Sequence, residues 1–151
     1  MGELRLVELS AATIVAVNNM SLKPGQEEYL SPVSYGVAAT VVNPTTTWQR
    51  VVIDEDGSVL GFVSANFDAD HPEEHFRSVL WRINVDADEQ GRGIGRFAVD
   101  GLLAEARARG FDHVDVVYES GEDGPEAFFQ RVGFTPVGET PYGEVVAETR
   151  I

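Results

Sequence analysis

Residues 86–98 read D-A-D-E-Q-G-R-G-I-G-R-F-A, with glycine at 91, 93 and 95 and arginine at 92 and 96. No other stretch limits the folds open to this chain so strongly. The apolar, β-branched run before it (Val79, Leu80, Trp81, Ile83, Val85) predicts a strand. The pattern after it predicts a long helix over 93–109, with Ile94, Phe97, Ala98 and Leu102 on one face and Arg96, Asp100 and Arg107 opposite. Arg107 and Arg109 suit the negative end of the helix dipole, and Gly110 suits a left-handed cap. Gln90 to Gly95 therefore forms the mouth of a helix directly after a strand.

The first N–H groups of a helix have no internal partners and attract anions. Glycine lets the backbone approach an anion without a Cβ in the way, and Arg92 and Arg96 add cationic donors for phosphate oxygens. A P-loop is excluded, because it needs a lysine after the last glycine and the chain's one lysine is Lys23. A dinucleotide fingerprint fits by pattern, since Gly93-Ile94-Gly95-Arg96-Phe97-Ala98 is G-x-G-x-x-A and Glu119 stands near the end of the next strand. Its context is poor: about seven residues separate strand and first glycine, and little chain follows Glu119 to build a doubly wound sheet.

Q-G-R-G-I-G resembles the Q/R-x-x-G-x-G/A motif of the GNAT-superfamily N-acetyltransferases, where it binds the pyrophosphate of acetyl-coenzyme A. Phe128-Phe129-Gln130-Arg131-Val132-Gly133-Phe134 resembles the second signature of that superfamily, an aromatic-ended helix closing on Gly-Phe. The two stand in the right order and at the right spacing. The resemblance implies the GNAT α/β fold, a mixed sheet of about seven strands with helices on its faces, over a single domain spanning 1–151.

The rest of the chain reads in that order. Strands are predicted at Leu4–Leu9, Trp48–Ile53, Ser58–Phe67, Ser78–Val85, His113–Glu119, Phe134–Gly138 and Glu144–Ile151, with helices at Ala11–Asn18, Ser31–Asn43, Gly93–Arg109 and Pro125–Val132. At 151 residues such a domain buries a core without cross-links, and with no cysteine it has no disulfide framework and no thiol nucleophile. The net charge of −14 disfavours nucleic acid and is compatible with a cationic substrate. No apolar run approaches the length of a membrane span and the N-terminus is no signal peptide, so the expectation is a cytoplasmic protein away from membranes. His71 and His75 have zinc-like spacing, but Pro72 spoils the helix they would need, and no metal site is expected.

By position, the resemblance implies that the main chain of Ile83 and Val85, with Asn84 between them, pairs with the pantetheine arm of acetyl-coenzyme A. It places the pyrophosphate on Gln90, Gly91, Arg92, Gly93, Ile94, Gly95 and Arg96. The family often protonates the departing thiolate with a tyrosine in a pattern like L-Y-x-x-x-G-F. Phe129 occupies that place here, beside the cofactor, and an asparagine often seen five residues earlier is Gly124. Tyr118 and Tyr142 are the substitute candidates for a catalytic hydroxyl. Gln26–Ser31, Leu80-Trp81-Arg82 and the Gly138-Glu139 and Gly143-Glu144 pairs resemble the diamine and spermine/spermidine acetyltransferases. That likeness implies a polyamine or other small cationic amine, received by Glu27 and Glu28; a solvated acidic loop explains this pair equally well. Other acceptors (antibiotic amines, amino acids, protein N-termini) and a coenzyme A-binding module with little turnover stay open, and a homodimer is compatible with the family.

Overall fold

The structure is a computed structural model describing residues 4–8, 10–18, 46–71, 74, 77–85, 93–118, 126–139 and 144–151. The predicted helix at Ser31–Asn43, Glu27, Glu28, Gln90 to Arg92 and Tyr142 lie outside the described residues. The described elements are β1 (Arg5–Val7), α1 (Ala11–Asn18), β2 (Thr47–Ile53), β3 (Val59–Phe67), β4 (Ser78–Val85), α2 (Ile94–Ala108), β5 (His113–Tyr118), α3 (Glu126–Arg131), β6 (Thr135–Glu139) and β7 (Val145–Arg150). Each predicted strand is present, and the long helix ends within a residue of its predicted bounds. The first strand is shorter than expected, covering Arg5–Val7.

The seven strands form one mixed sheet in the order β1-β2-β3-β4-β5-β7-β6. All neighbours are antiparallel except β4 and β5, which are parallel because α2 crosses over between them. Alternation along the strands sends side chains to two faces. On one face Trp48, Val52, Val63, Ala65, Leu80, Ile83, Val114, Val116 and Ala147 pack beneath α2 and α3. On the other, Val51, Ile53 and Phe62 pack with Val17 of α1.

The period of α2 explains its seat. Ile94, Ala98, Val99, Leu102 and Ala106 are buried along one stripe. Its C-terminus closes as the sequence predicts: Gly110 N–H donates to the Arg107 carbonyl and Phe111 N–H to the Ala106 carbonyl, both at 3.0 Å. The Phe111 ring then meets Phe67, centroids 5.6 Å apart. Among the described residues no helix is long and apolar enough to cross a membrane.

Two features of β4 open the sheet at its centre. Its ladder with β5 consists of Val79–Asp115 and Leu80–Val116 and stops there, although β4 continues to Val85 and β5 to Tyr118. Where the ladder stops, Trp81 forms a bulge against β3: Ser64 pairs with Arg82 and Ala65 with Leu80, leaving Trp81 as the extra residue. A bulge adds local twist and bends its strand. The ends of β4 and β5 therefore splay, and a cleft forms between them.

Leu102 is completely buried at the centre of the α2 stripe. Leu102→Ala should lower stability by about 2–5 kcal/mol in urea denaturation. A loss below about 1 kcal/mol would contradict the seating of α2 on the sheet.

Candidate active site

The cleft is flanked by α2 and α3 on one side of the sheet. Gly93 is the N-cap of α2 and lies in the left-handed region, φ 79°, where any other residue is strained. Among the described residues no side chain caps this end, and a Cβ built on Gly93 would meet nothing within 4 Å. The first N–H groups of α2 thus have no side-chain cap among the described residues.

Gly95 and Arg96 have a further task that accounts for them locally. A Cβ on Gly95 would lie 2.7 Å from the Phe128 ring, so the missing side chain lets α3 close on the first turn of α2. The Arg96 guanidinium donates to the Arg131 carbonyl at 2.6 Å, satisfying one of the last free carbonyls of α3. The mouth of one helix is in this way fastened to the end of the other.

The Gly133-Phe134 signature is a helix stop. Gly133, at φ 106°, donates to the Gln130 carbonyl, and Phe134 N–H donates to the Phe129 carbonyl at 2.9 Å. The turn drives the Phe134 ring edge-on against Phe129, centroids 5.6 Å apart. Phe129 is in turn 1% exposed and stacks on Tyr118 at 5.3 Å. The signature motif therefore builds an aromatic wall, Phe134–Phe129–Tyr118, along the β5 side of the cleft.

Tyr118 is the last residue of β5, in the splayed part, and is 2% exposed. Its hydroxyl is buried with no hydrogen-bond partner among the described residues. Burial pushes its pKa up by penalising the phenolate, and the Glu126 carboxylate adds to the shift. An orphan hydroxyl in this setting costs about 1–3 kcal/mol of stability, a cost that a bound group accepting its proton would relieve. The sequence offered Tyr118 as a substitute for the missing tyrosine hydroxyl at 129. The structure brings the two rings together and leaves that hydroxyl unused.

Ile83 and Val85 point to the α2 side, where both pack in the core, so any use of their main chain leaves the side chains free to do so. Asn84 points to the opposite face: its register partner is Phe62, which packs with α1. It is 2% exposed, and neither its amide oxygen nor its amide nitrogen has a partner among the described residues. Sequence reading placed Asn84 here only as backbone between two apolar residues and missed the stranded side chain. Strict alternation would have pointed it away from Ile83, but only the structure shows that nothing answers it.

One group among the described residues has metal-ligand spacing: His113, Asp115 and Glu148, whose donor atoms lie within 4.8 Å of one another. The group is already engaged: His113 Nδ1 pairs with Asp112 at 2.7 Å and Glu148 with the Arg150 guanidinium at 2.9 Å. The hydrogen bond from His113 holds the Asp112 carboxyl below its usual range. The group sits at the laddered end of β5, away from the cleft.

The mouth yields a test. Gly93→Ala changes only the backbone preference, whereas Gly93→Glu adds a negative charge where phosphates would lie. Relative to Gly93→Ala, Gly93→Glu should weaken acetyl-coenzyme A binding by at least about tenfold, or 1.4 kcal/mol. Equal affinity of two folded variants in calorimetry would remove the mouth from the binding site.

Comparison with known proteins agrees with the geometry. The acetyltransferase (GNAT) family model matches residues 22–134. Mycothiol acetyltransferase of Beutenbergia cavernae is 40% identical over 58 residues, 38% of this chain and 20% of that protein. The L-methionine sulfoximine/L-methionine sulfone acetyltransferase of Pseudomonas aeruginosa is 33% identical over 92 residues, 60% of this chain and 52% of that protein. The matched segments thus span about half or less of these relatives. Among solved structures, the PaiA N-acetyltransferase of Thermoplasma acidophilum in complex with coenzyme A superposes with a TM-score of 0.72 at 12% identity, covering 99% of both chains, which is a likeness of fold. The family model spans most of the chain, and the sheet and the Gly-Phe stop are in place: this chain belongs to the GNAT acetyltransferase family.

Proposed function

We propose that this chain transfers the acetyl group of acetyl-coenzyme A to a primary amine by direct attack in a ternary complex. The observation that carries the proposal is the buried Tyr118 hydroxyl, without a partner among the described residues, at the end of β5 beyond the last pair of the β4–β5 ladder. Residues 90–96 would hold the pyrophosphate, and the main chain of Ile83 and Val85 would line the arm that enters the cleft. Phe129 would wall that arm on its other side.

Acetyl-coenzyme A supplies an acyl carbon activated by a thiolate leaving group, whose conjugate acid has a pKa of about 8.5. The amine nitrogen forms the new C–N bond, the C–S bond breaks, and its electron pair leaves on sulfur. In this reading Tyr118 would donate its proton to that sulfur. Its raised pKa keeps it protonated at neutral pH. The nitrogen must shed its proton, and alkylammonium groups have pKa values near 10. Deprotonation of the amine is therefore the demanding step. Tyr142, the other candidate hydroxyl, lies outside the described residues.

A coenzyme A-binding module with little turnover would need no such hydroxyl, and Phe129 is the residue that suggests it. The stacking of Tyr118 on Phe129 supports the transferase reading, in which Tyr118 would supply from β5 the hydroxyl that Phe129 lacks. With Tyr118 in place, Phe129→Tyr should raise kcat by less than about tenfold, whereas Tyr118→Phe should lower it by about 10²-fold with acetyl-coenzyme A affinity unchanged. In the parent, kcat/KM should climb as the amine deprotonates and show no descending limb below about pH 10, because the phenol loses its proton only above that value. A fall in rate beginning near pH 8 would assign the acid to another group.

For the acceptor we propose a small cationic amine, polyamines foremost. The net charge of −14 and the Gln26–Ser31 and Leu80-Trp81-Arg82 resemblances support it. A second reading, an amine of the amino-acid type, is favoured by the relative that acts on L-methionine sulfoximine and L-methionine sulfone. In a thiol-release assay the first reading predicts kcat/KM for spermidine and putrescine at least about tenfold above that for L-methionine sulfone. Inert polyamines beside a reactive amino-acid derivative would replace the first reading with the second.

A further inference from the structure

We infer that Gly61 is a positioning residue of the donor site: the side chain it lacks sets where the mouth of α2 stands against β3 and β4. This rests on the reading above that residues 90–96 hold the pyrophosphate, and it names the residue that seats the first turn.

Gly61 is buried inside β3, between Leu60 and Phe62. A glycine in a strand interior weakens the strand, because it packs nothing and gives up more backbone freedom than other residues. Its dihedrals do not call for glycine, since the positive-φ glycines among the described residues are Gly57, Gly93, Gly110 and Gly133. Space does. A Cβ built on Gly61 would stand 3.2 Å from Ile94 Cγ2 and 3.1 Å from the main-chain oxygen of Asn84. Both contacts are tighter than Cβ atoms ordinarily make, so each neighbour would have to give by a few tenths of an ångström.

Those neighbours belong to the two halves of the proposed donor site. Ile94 opens α2 directly after the Gly93 cap, and its side chain, 1% exposed, anchors the mouth to the sheet. Phe97 N–H donates to the Gly93 carbonyl at 3.0 Å, so the N–H groups of Ile94, Gly95 and Arg96 precede the first helical bond. The residue that rests on Gly61 thus carries one of the N–H groups that would meet phosphate. Asn84 is the middle of the segment proposed to line the arm, and Gly61 pairs with Val85 across the ladder.

The first turn has little room to yield. A Cβ on Gly95 would already lie 2.7 Å from the Phe128 ring, and Arg96 is tied to the Arg131 carbonyl. A carbon added at Gly61 therefore works against α3 as well as against the sheet. Hydrogen bonds from N–H groups to anionic oxygens are short and directional, so small displacements of the mouth weaken them. A capping side chain would fix this helix end by occupying the same N–H groups. The seat of Ile94 on Gly61 fixes it without touching them.

The test uses the full chain with Gly61→Ala, Ile94→Ala and the two combined. Two donors are compared: acetyl-coenzyme A, and S-acetylpantetheine, which carries the same thioester and arm without the pyrophosphate. The acceptor is spermidine or L-methionine sulfone, whichever reacts faster. Gly61→Ala should weaken acetyl-coenzyme A binding in calorimetry by about tenfold and raise its KM as much, with kcat within about threefold of the parent. For S-acetylpantetheine kcat/KM should stay within about threefold, because no phosphate is there to be misplaced. Ile94→Ala, which withdraws the other half of the contact, should show the same selective loss with acetyl-coenzyme A. The double variant, in which the added carbon refills part of the vacated space, should recover part of it. If Gly61→Ala fails to fold, Ile94→Ala carries the donor comparison. The inference is overturned if Gly61→Ala binds acetyl-coenzyme A within about threefold of the parent. It is equally overturned if both donors lose kcat/KM in parallel, as a merely structural role would have it. Equal affinities of Gly93→Glu and Gly93→Ala would instead remove the reading of the mouth itself, and this inference with it.

Discussion

The early end of the β4–β5 ladder is the constraint on which the rest depends. Parallel strands normally pair along their length, and these two pair at Val79–Asp115 and Leu80–Val116 alone. The Trp81 bulge sits at that point and turns β4 toward β3, with which it remains paired to Val85. A sheet that should be continuous therefore has a cleft at its centre. The order β1-β2-β3-β4 on one side and β5-β7-β6 on the other keeps each half rigid while the join stays open.

Two helices make that cleft chemical. α2 brings an uncapped N-terminus to its rim, and α3 brings Phe129 to its wall. They are tied together by local, inexpensive devices: a missing Cβ at Gly95, a guanidinium on the Arg131 carbonyl, and a glycine stop that turns Phe134 inward. The two family motifs are therefore one mechanical unit, because the second helix packs on the first turn of the first. Losing either glycine signature would shift the other.

The parts legible in the sequence are those set by local rules. The α2 stripe, its closure at Gly110, the strand ahead of the glycine run and the Gly133 stop all follow from periodicity and cap chemistry. The glycine run suggests an anion site in sequence because strand, glycines and helix are consecutive, and that role is part of the proposal. The features that stay hidden are non-local. Nothing in Leu80-Trp81-Arg82 announces a bulge, since it arises from pairing with β3, nor where the ladder to β5 stops. The stacking of Tyr118 on Phe129 joins a strand end to a helix eleven positions later, and Asn84 is stranded by what its neighbours fail to offer. Gly95 and Arg96 read as phosphate binders in sequence, and the packing against α3 is a second task that only the fold reveals.

The central claim is that the cleft beyond Leu80 and Val116 is where acetyl transfer takes place. A crystal structure of the chain with acetyl-coenzyme A bound tests it most directly. The account predicts the pantetheine arm passing between Ile83 and Tyr118, phosphates on the N–H groups that open α2, and the thioester sulfur within hydrogen-bond reach of the Tyr118 hydroxyl. Density for the cofactor elsewhere, with β4 and β5 unoccupied between them and the Tyr118 hydroxyl still unpartnered, would contradict it.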